Sequence, residues 1–146
     1  MPRSPASHGF KLQTPPGPLE FRCAIAERTW LRQAAAAALQ GRSVRLRTLP
    51  EGSAFQRRCW RAAIRIPRGQ TRTYGWIARA AGSPAAVRAA AQAMRRNPWP
   101  VVIPCHRVVG VRDLGGYAGS RNPADARLAL KRWLLERETT RDRPQQ

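Results

Sequence analysis

Residues 73–95 read TYGWIARAAGSPAAVRAAAQAMR, and the reading of this stretch decides the fold. The Thr73 hydroxyl can cap a helix that runs through Ala80 and is stopped by Gly82. Ser83 and Pro84 then offer an N-cap and a first-turn proline for a following helix that reaches about Arg95. Two short helices across a tight glycine-containing turn predict a helix-turn-helix. In the second of them Val87, Ala91 and Met94 share one face, which should pack inward, and Arg88, Gln92 and Arg95 share the other. Ala85 and Ala89 flank Arg88 and project almost nothing, so the helix backbone can approach a groove closely while Arg88 reaches in. Solvated arginines on an ordinary helix are the plainer alternative.

Upstream, Ser53 with Gln56 forms a capping box, and Phe55, Cys59, Ala63 and Ile64 recur at helical spacing, predicting a helix from about Ala54 to Arg65. Cys59 sits on its apolar stripe as a small buried hydrophobe. Downstream, Asn97, Pro98 and Pro100 end the helical pattern, and Val101–Ile103 read as a short buried extended run leading into Pro104, Cys105, His106, Arg107 and Val108. A glycine-rich loop follows, carrying Tyr117 and Ala118. A last helix is expected after an Asn122 cap, Pro123 and Asp125, with Leu130, Trp133 and Leu134 on its apolar face. The tail from Thr139 is polar and expected to fray.

Toward the N-terminus, Met1–Leu19 contains five prolines and reads as an irregular leader. Glu27–Leu39 carries an alanine run ending at Gly41 and predicts a helix. Ser43–Leu49 alternates Val44, Leu46 and Leu49 with basic residues, as a short strand or extended connection would. Pro50 and Gly52 mark a boundary. The expected organisation is an N-terminal region over 1–52, a mostly α domain with short β segments over 53–140, and a tail over 141–146.

The 146 residues suffice for a core without staples, and the formal net charge is +19, nearly all arginine because Lys11 and Lys131 are the only lysines. Such a field favours a polyanion, DNA or RNA first, although arginine with abundant alanine also accompanies a GC-rich genome. No apolar run is long enough to span a bilayer, and the first residues lack a secretory signal, so a cytoplasmic protein without membrane contact is expected. Cys23, Cys59 and Cys105 are odd in number and form no CxxC pair, which argues against a disulfide framework and a sulfur-rich zinc site.

Cys105 is the candidate nucleophile. A thiol works as its thiolate, which a neighbouring base and positive surroundings favour, and His106 and Arg107 follow it directly. Adjacent side chains on extended backbone diverge, so His106 needs a bend or a bridging water to act on the sulfur. The run from Ile103 to Val108 resembles the active-site signature of the O6-alkylguanine-DNA alkyltransferases, the methylated-DNA:protein-cysteine methyltransferases. The likeness extends from about Gly52 to Glu138, through Phe55–Trp60, Gly69–Ala78, the Arg88 helix, Asn97-Pro98 and the Lys131–Glu138 helix.

That resemblance implies a winged-helix-like helix-turn-helix domain that binds DNA and transfers alkyl groups, preceded by a truncated N-terminal α/β remnant. It also implies a single-turnover reaction in which Cys105 takes the alkyl group of O6-alkylguanine, and of O4-alkylthymine, from double-stranded DNA. His106, a bridging water and Glu138 would draw off the thiol proton. Tyr74 would bond guanine N3 and help rotate the nucleotide out, Arg88 would fill the gap in the base stack, and Asn97 would brace the turn carrying the cysteine. Val108, Tyr117 and Ala118 would line the base pocket, with the carbonyls of Cys105 and Val108 accepting from the guanine amino group. Ala85 and Ala89 would lie against the minor groove. The family's chemistry requires no cofactor or metal, and a monomer is expected. A lesion-recognising DNA-binding protein without transfer activity is the alternative; such alkyltransferase-like proteins lack the cysteine that this chain has at position 105. Ala91-Gln92 and the long Ser120–Arg127 segment depart from the family pattern.

Overall fold

A computed structural model describes residues 8–111 and 126–141. The sequence expectations at Tyr117, Ala118, Asn122, Pro123 and Asp125 lie outside the described residues. The architecture is mostly helical, with two small sheets.

The chain opens with a hairpin where an irregular leader was expected. Strand β1 (His8–Thr14) pairs antiparallel with β2 (Gly17–Cys23), with Phe10 opposite Phe21 and Leu12 opposite Leu19. The two phenyl rings stack at 4.7 Å, and Phe10, Leu19, Phe21 and Cys23 are buried. Pro15 and Pro16 fall at the loop between the strands, where a missing N–H costs no ladder bond, so the prolines that argued against a strand mark its turn.

Helix α1 (Arg28–Leu39), entered through a 3-10 turn at Ile25–Glu27, buries Leu31, Ala34 and Ala35. It ends as expected at Gly41, whose N–H donates to the Ala38 carbonyl. Residues 43–49 form no strand and run as an irregular connection. Arg22 N–H donates to the Pro98 carbonyl at 3.0 Å and the Trp99 indole donates to the Arg22 carbonyl at 3.0 Å, joining the hairpin to the turn before Cys105.

Helix α2 (Ala54–Ile64) starts at the expected capping box: Ser53 Oγ accepts from Gln56 N–H at 3.0 Å and Gln56 Oε1 accepts from Ser53 N–H at 2.9 Å. An N-cap of this kind contributes about 1 kcal/mol. Ser53→Ala should therefore lower unfolding free energy by ~1 kcal/mol in urea titrations, whereas Ser53→Gly should cost only a few tenths.

Helix α3 (Tyr74–Ala80) is capped by Thr73, whose hydroxyl accepts from Trp76 N–H at 3.1 Å, and Gly82 follows at φ 84, in the left-handed region that glycine tolerates. The next helix, α4 (Val87–Arg95), begins later than Ser83-Pro84 predicts. Ser83–Ala86 instead closes a turn, with Ala86 N–H on the Ser83 carbonyl at 2.9 Å. Pro84 there takes the second turn position, for which its fixed φ is equally suited. The buried stripe of α4 is accordingly Ala90, Ala93 and Met94, while Val87 is exposed and Ala91 half-buried, so the predicted inward face holds only for Met94. Trp60, on α2, is buried and donates its indole N–H to the Ala93 carbonyl at 2.9 Å, locking α2 to α4.

The second sheet is small but decisive for the site. Strand β3 (Arg72–Thr73) pairs in parallel with β4 (Val108–Val109), matching Arg72 to Val108 and Thr73 to Val109. This pairing brings the first residue of α3, Tyr74, to the segment that follows Cys105. Helix α5 (Ala126–Arg141) closes the molecule, burying Leu128, Leu130 and Leu134 together with Lys131 and Glu138.

Candidate active site

The turn that presents Cys105 is built around a strained residue. Val101–Ile103 are buried as expected but form a turn: Val101 has φ 72, and Ile103 N–H bonds back to the Trp99 carbonyl at 2.9 Å. A β-branched residue in the left-handed region costs on the order of 1–2 kcal/mol, so its surroundings must enforce it. Asn97 does so from both ends. Its Nδ2 donates to the Ile103 carbonyl at 2.7 Å and its Oδ1 accepts from Trp99 N–H at 2.9 Å.

Cys105, His106 and Arg107 then make a 3-10 turn, with Cys105 N–H on the Ile103 carbonyl at 2.7 Å and Arg107 N–H on the Pro104 carbonyl at 3.0 Å. This supplies the bend that extended backbone lacks. Cys105 is 7% exposed and His106 fully buried. All three cysteines are thiols, but burial pushes the Cys59 thiol up to about 11 despite neighbouring Arg58, and raises Cys23 as well. Those two are packing residues.

His106 Nε2 lies 2.8 Å from Glu138 Oε2. Burial opposes ionisation of Glu138, yet hydrogen bonds from His106 and Arg107, joined by the Arg107 charge, bring it down to about 2. Burial also lowers His106, outweighing the pull of Glu138, and the charges of Arg107 and Lys131 act in the same direction. The pair is therefore a neutral imidazole donating from Nε2 to a carboxylate. That fixes the tautomer and makes Nδ1 an acceptor, and Nδ1 is buried with no hydrogen-bond partner among the described residues.

Arg107 is the residue that sequence reasoning did not assign. Its Nε and Nη2 grip both oxygens of Glu138 at 2.7–3.1 Å, and Nη1 donates to the Ile66 carbonyl at 2.8 Å, while Arg68 adds a charge 3.8 Å from the same carboxylate. Lys131 was likewise passed over. It is fully buried, donates to the Val108 carbonyl at 2.8 Å, and lies 5.8 Å from the centre of the Tyr74 ring. A signal existed: Lys131, Leu134 and Glu138 recur at i, i+3 and i+7, placing two charges on the apolar stripe of α5.

Of the remaining expected residues, Arg88, Ala85 and Ala89 are exposed together at the start of α4, and Tyr74 is half-buried at the start of α3. The structure thus groups Cys105, His106 and Glu138, with Asn97 behind the turn and Tyr74 joined to it through Lys131 and the β3–β4 pair. Among the described residues no group of three or more His, Cys, Asp or Glu is placed to hold a metal.

Residues 54–140 match the family model for the DNA-binding domain of 6-O-methylguanine DNA methyltransferase. The chain belongs to that family. A probable methylated-DNA--protein-cysteine methyltransferase of Acanthamoeba polyphaga mimivirus is 47% identical over 88 residues, which are 60% of this chain and 54% of the relative. The constitutive enzyme of Bacillus subtilis is 51% identical over 77 residues, 52% of this chain and 47% of the relative. The chain thus spans about half the length of the curated methyltransferases it matches. The solved structure of Mycobacterium tuberculosis OGT in complex with DNA superposes with a TM-score of 0.69 at 29% identity, covering 90% of this chain and 92% of that one. That coverage takes in most of the N-terminal region as well as residues 54–140, so the shared fold extends well beyond the segment legible as family-like.

Proposed function

We propose that this protein repairs O6-alkylguanine in duplex DNA by moving the alkyl group irreversibly to Cys105. The observation that carries the reading is the committed histidine: Nε2 engaged by Glu138, and Nδ1 a buried acceptor on the residue next to the thiol. The Cys105 proton passes through a bridging water to Nδ1, and Glu138 steadies the imidazolium that results. The sulfur then attacks the alkyl carbon, forming the S–C bond as the O6–C bond breaks. The electron pair leaves on the purine, which is restored to guanine by taking up a proton. A thioether has no good leaving group, so the protein acts once.

Asn97 holds the strained turn and so the position of the sulfur. Tyr74 bonds guanine N3, and the Cys105 and Val108 carbonyls face the guanine amino group. Tyr117 and Ala118 complete the pocket, and O4-alkylthymine enters the same site. The Val108 carbonyl already accepts from Lys131, and a carbonyl oxygen has a second lone pair for the base. The reaction draws on no cofactor.

The reactive atom is out of reach inside a stacked duplex, so the base must be extruded at a cost of a few kcal/mol. Arg88 fills the vacated stack from the minor groove, where the exposed Ala85 and Ala89 allow close approach. Arg88→Ala should slow methyl transfer from duplex by ~10-fold or more, on the order of 1.4 kcal/mol, while reaction with free O6-benzylguanine stays within about twofold of wild type. Equal losses in the two assays would rule out a flipping role.

A further inference from the structure

An open groove lies away from Cys105, between residues 43–49 and the outer face of α2, with a volume of about 1040 Å³. Arg45 and Arg47 line one wall and Arg57, Arg61 and Arg65 the other, and no aspartate or glutamate lines it among the described residues. The spacing on each wall is regular. Positions 57, 61 and 65 recur every four residues, so successive guanidiniums on the helical wall rise by about 6 Å, while 45 and 47 alternate along an extended chain. Like charges at i, i+4 disfavour a helix, so this row lowers the stability of α2 unless something anionic answers it. None of the five lies within ion-pair distance of a described carboxylate, and the Nε of Arg57 is buried with no hydrogen-bond partner among the described residues. No backbone–backbone hydrogen bond between described residues involves residues 43–49, leaving that wall's amides available as further donors.

We infer that this groove is a second, lesion-independent binding site, which holds the phosphodiester backbone of a DNA strand between its two arginine rows. A polymer of evenly spaced single negative charges matches two evenly spaced rows of planar, bidentate donors, whereas an acidic peptide would need carboxylates at that same repeat. Arg58, on the same wall, donates to the Ala81 carbonyl at 2.9 Å. That bond ties the groove to the turn between α3 and α4, so a strand leaving α4 can continue into it.

Binding of an undamaged DNA duplex to the full chain, measured against salt concentration, tests the site. The comparison is between wild type, Arg45→Gln with Arg47→Gln, Arg61→Gln with Arg65→Gln, all four together, and an exposed control pair outside the groove, Arg28→Gln with Arg132→Gln. Each lost phosphate contact should flatten the slope of log K against log salt by about 0.9, so each groove pair should remove roughly 2 and the fourfold variant more than 3. The control pair should change it by less than half a unit. Reaction of Cys105 with free O6-benzylguanine should stay at the wild-type rate throughout, which separates failure of this site from failure of the repair reading or of folding. Groove pairs no different from the control pair would overturn the proposal. Equal weakening toward polyglutamate and DNA would overturn the assignment to nucleic acid.

Discussion

Cys105→Ala should abolish methyl transfer from O6-methylguanine duplex while leaving binding to that duplex within about threefold of wild type. The side chain sits in a 3-10 turn held by backbone bonds at Ile103, Pro104 and Val108, and by Asn97 behind it, none of which involves the sulfur. Loss of one buried sulfur should cost roughly 1 kcal/mol, well inside the stability of a domain this size. Arg88, proposed above to enter the duplex, lies on a different element, α4. Radiolabelled methyl incorporation and fluorescence anisotropy on the same sample read the two properties. Transfer persisting in the alanine protein would move the nucleophile elsewhere.

Glu138→Gln should be the most damaging single change outside the nucleophile. The carboxylate is bound at once by His106, by both arms of Arg107 and at 3.8 Å by Arg68. A neutral amide of nearly the same shape deprives the Arg107 guanidinium of its counter-charge in a mostly buried place, which costs about 3–5 kcal/mol. It also frees the imidazole to change tautomer, so any folded fraction should react with O6-benzylguanine at least ~100-fold more slowly, the scale of a lost general base. The pH dependence has a definite sign. Glu138 is depressed from 4.5 to about 2, so its contribution is present above pH 4.5 and disappears as pH falls toward about 2. Buried His106, also lowered from 6.5, acts in the same sense, because the unfolded chain takes up its proton first as pH falls below 6.5. Wild-type urea midpoints should therefore climb with pH from 3 to 7, and Glu138→Gln should flatten the climb below pH 4.5. A variant as stable as wild type, with the same acid limb, would contradict the clamp.

The parts of this molecule written in local chemistry were legible in its sequence. Ser53 with Gln56, Thr73, Gly82 and Gly41 each act through a hydrogen bond or a dihedral within a few residues, and each ends or begins a helix where expected. The Ile103–Val108 run carried the family resemblance. What was hidden depends on partners distant in the chain, or on one residue serving two rules. Pro84 suits both a first helical turn and a β-turn, and the turn prevailed, which rotated α4 and turned Val87 outward. The alternation of Phe10 and Leu12 with Leu19, Phe21 and Cys23 was present, but the prolines between outweighed it until pairing placed Pro15 and Pro16 in the loop and Pro18 within β2. Val101 gives no local sign of a positive φ, since Asn97 imposes it through bonds to Trp99 and Ile103. Arg107 read as one more basic neighbour of Cys105, because its partner Glu138 lies on another element.

Peptide mass spectrometry reads the Cys105 sulfur directly. After incubation of the folded protein with excess duplex containing O6-methylguanine, the Cys105 peptide should carry one added methyl group in essentially every molecule, with Cys23 and Cys59 unchanged and no second addition on longer exposure. An unmodified Cys105 in a sample that is demonstrably folded and DNA-bound would contradict the account.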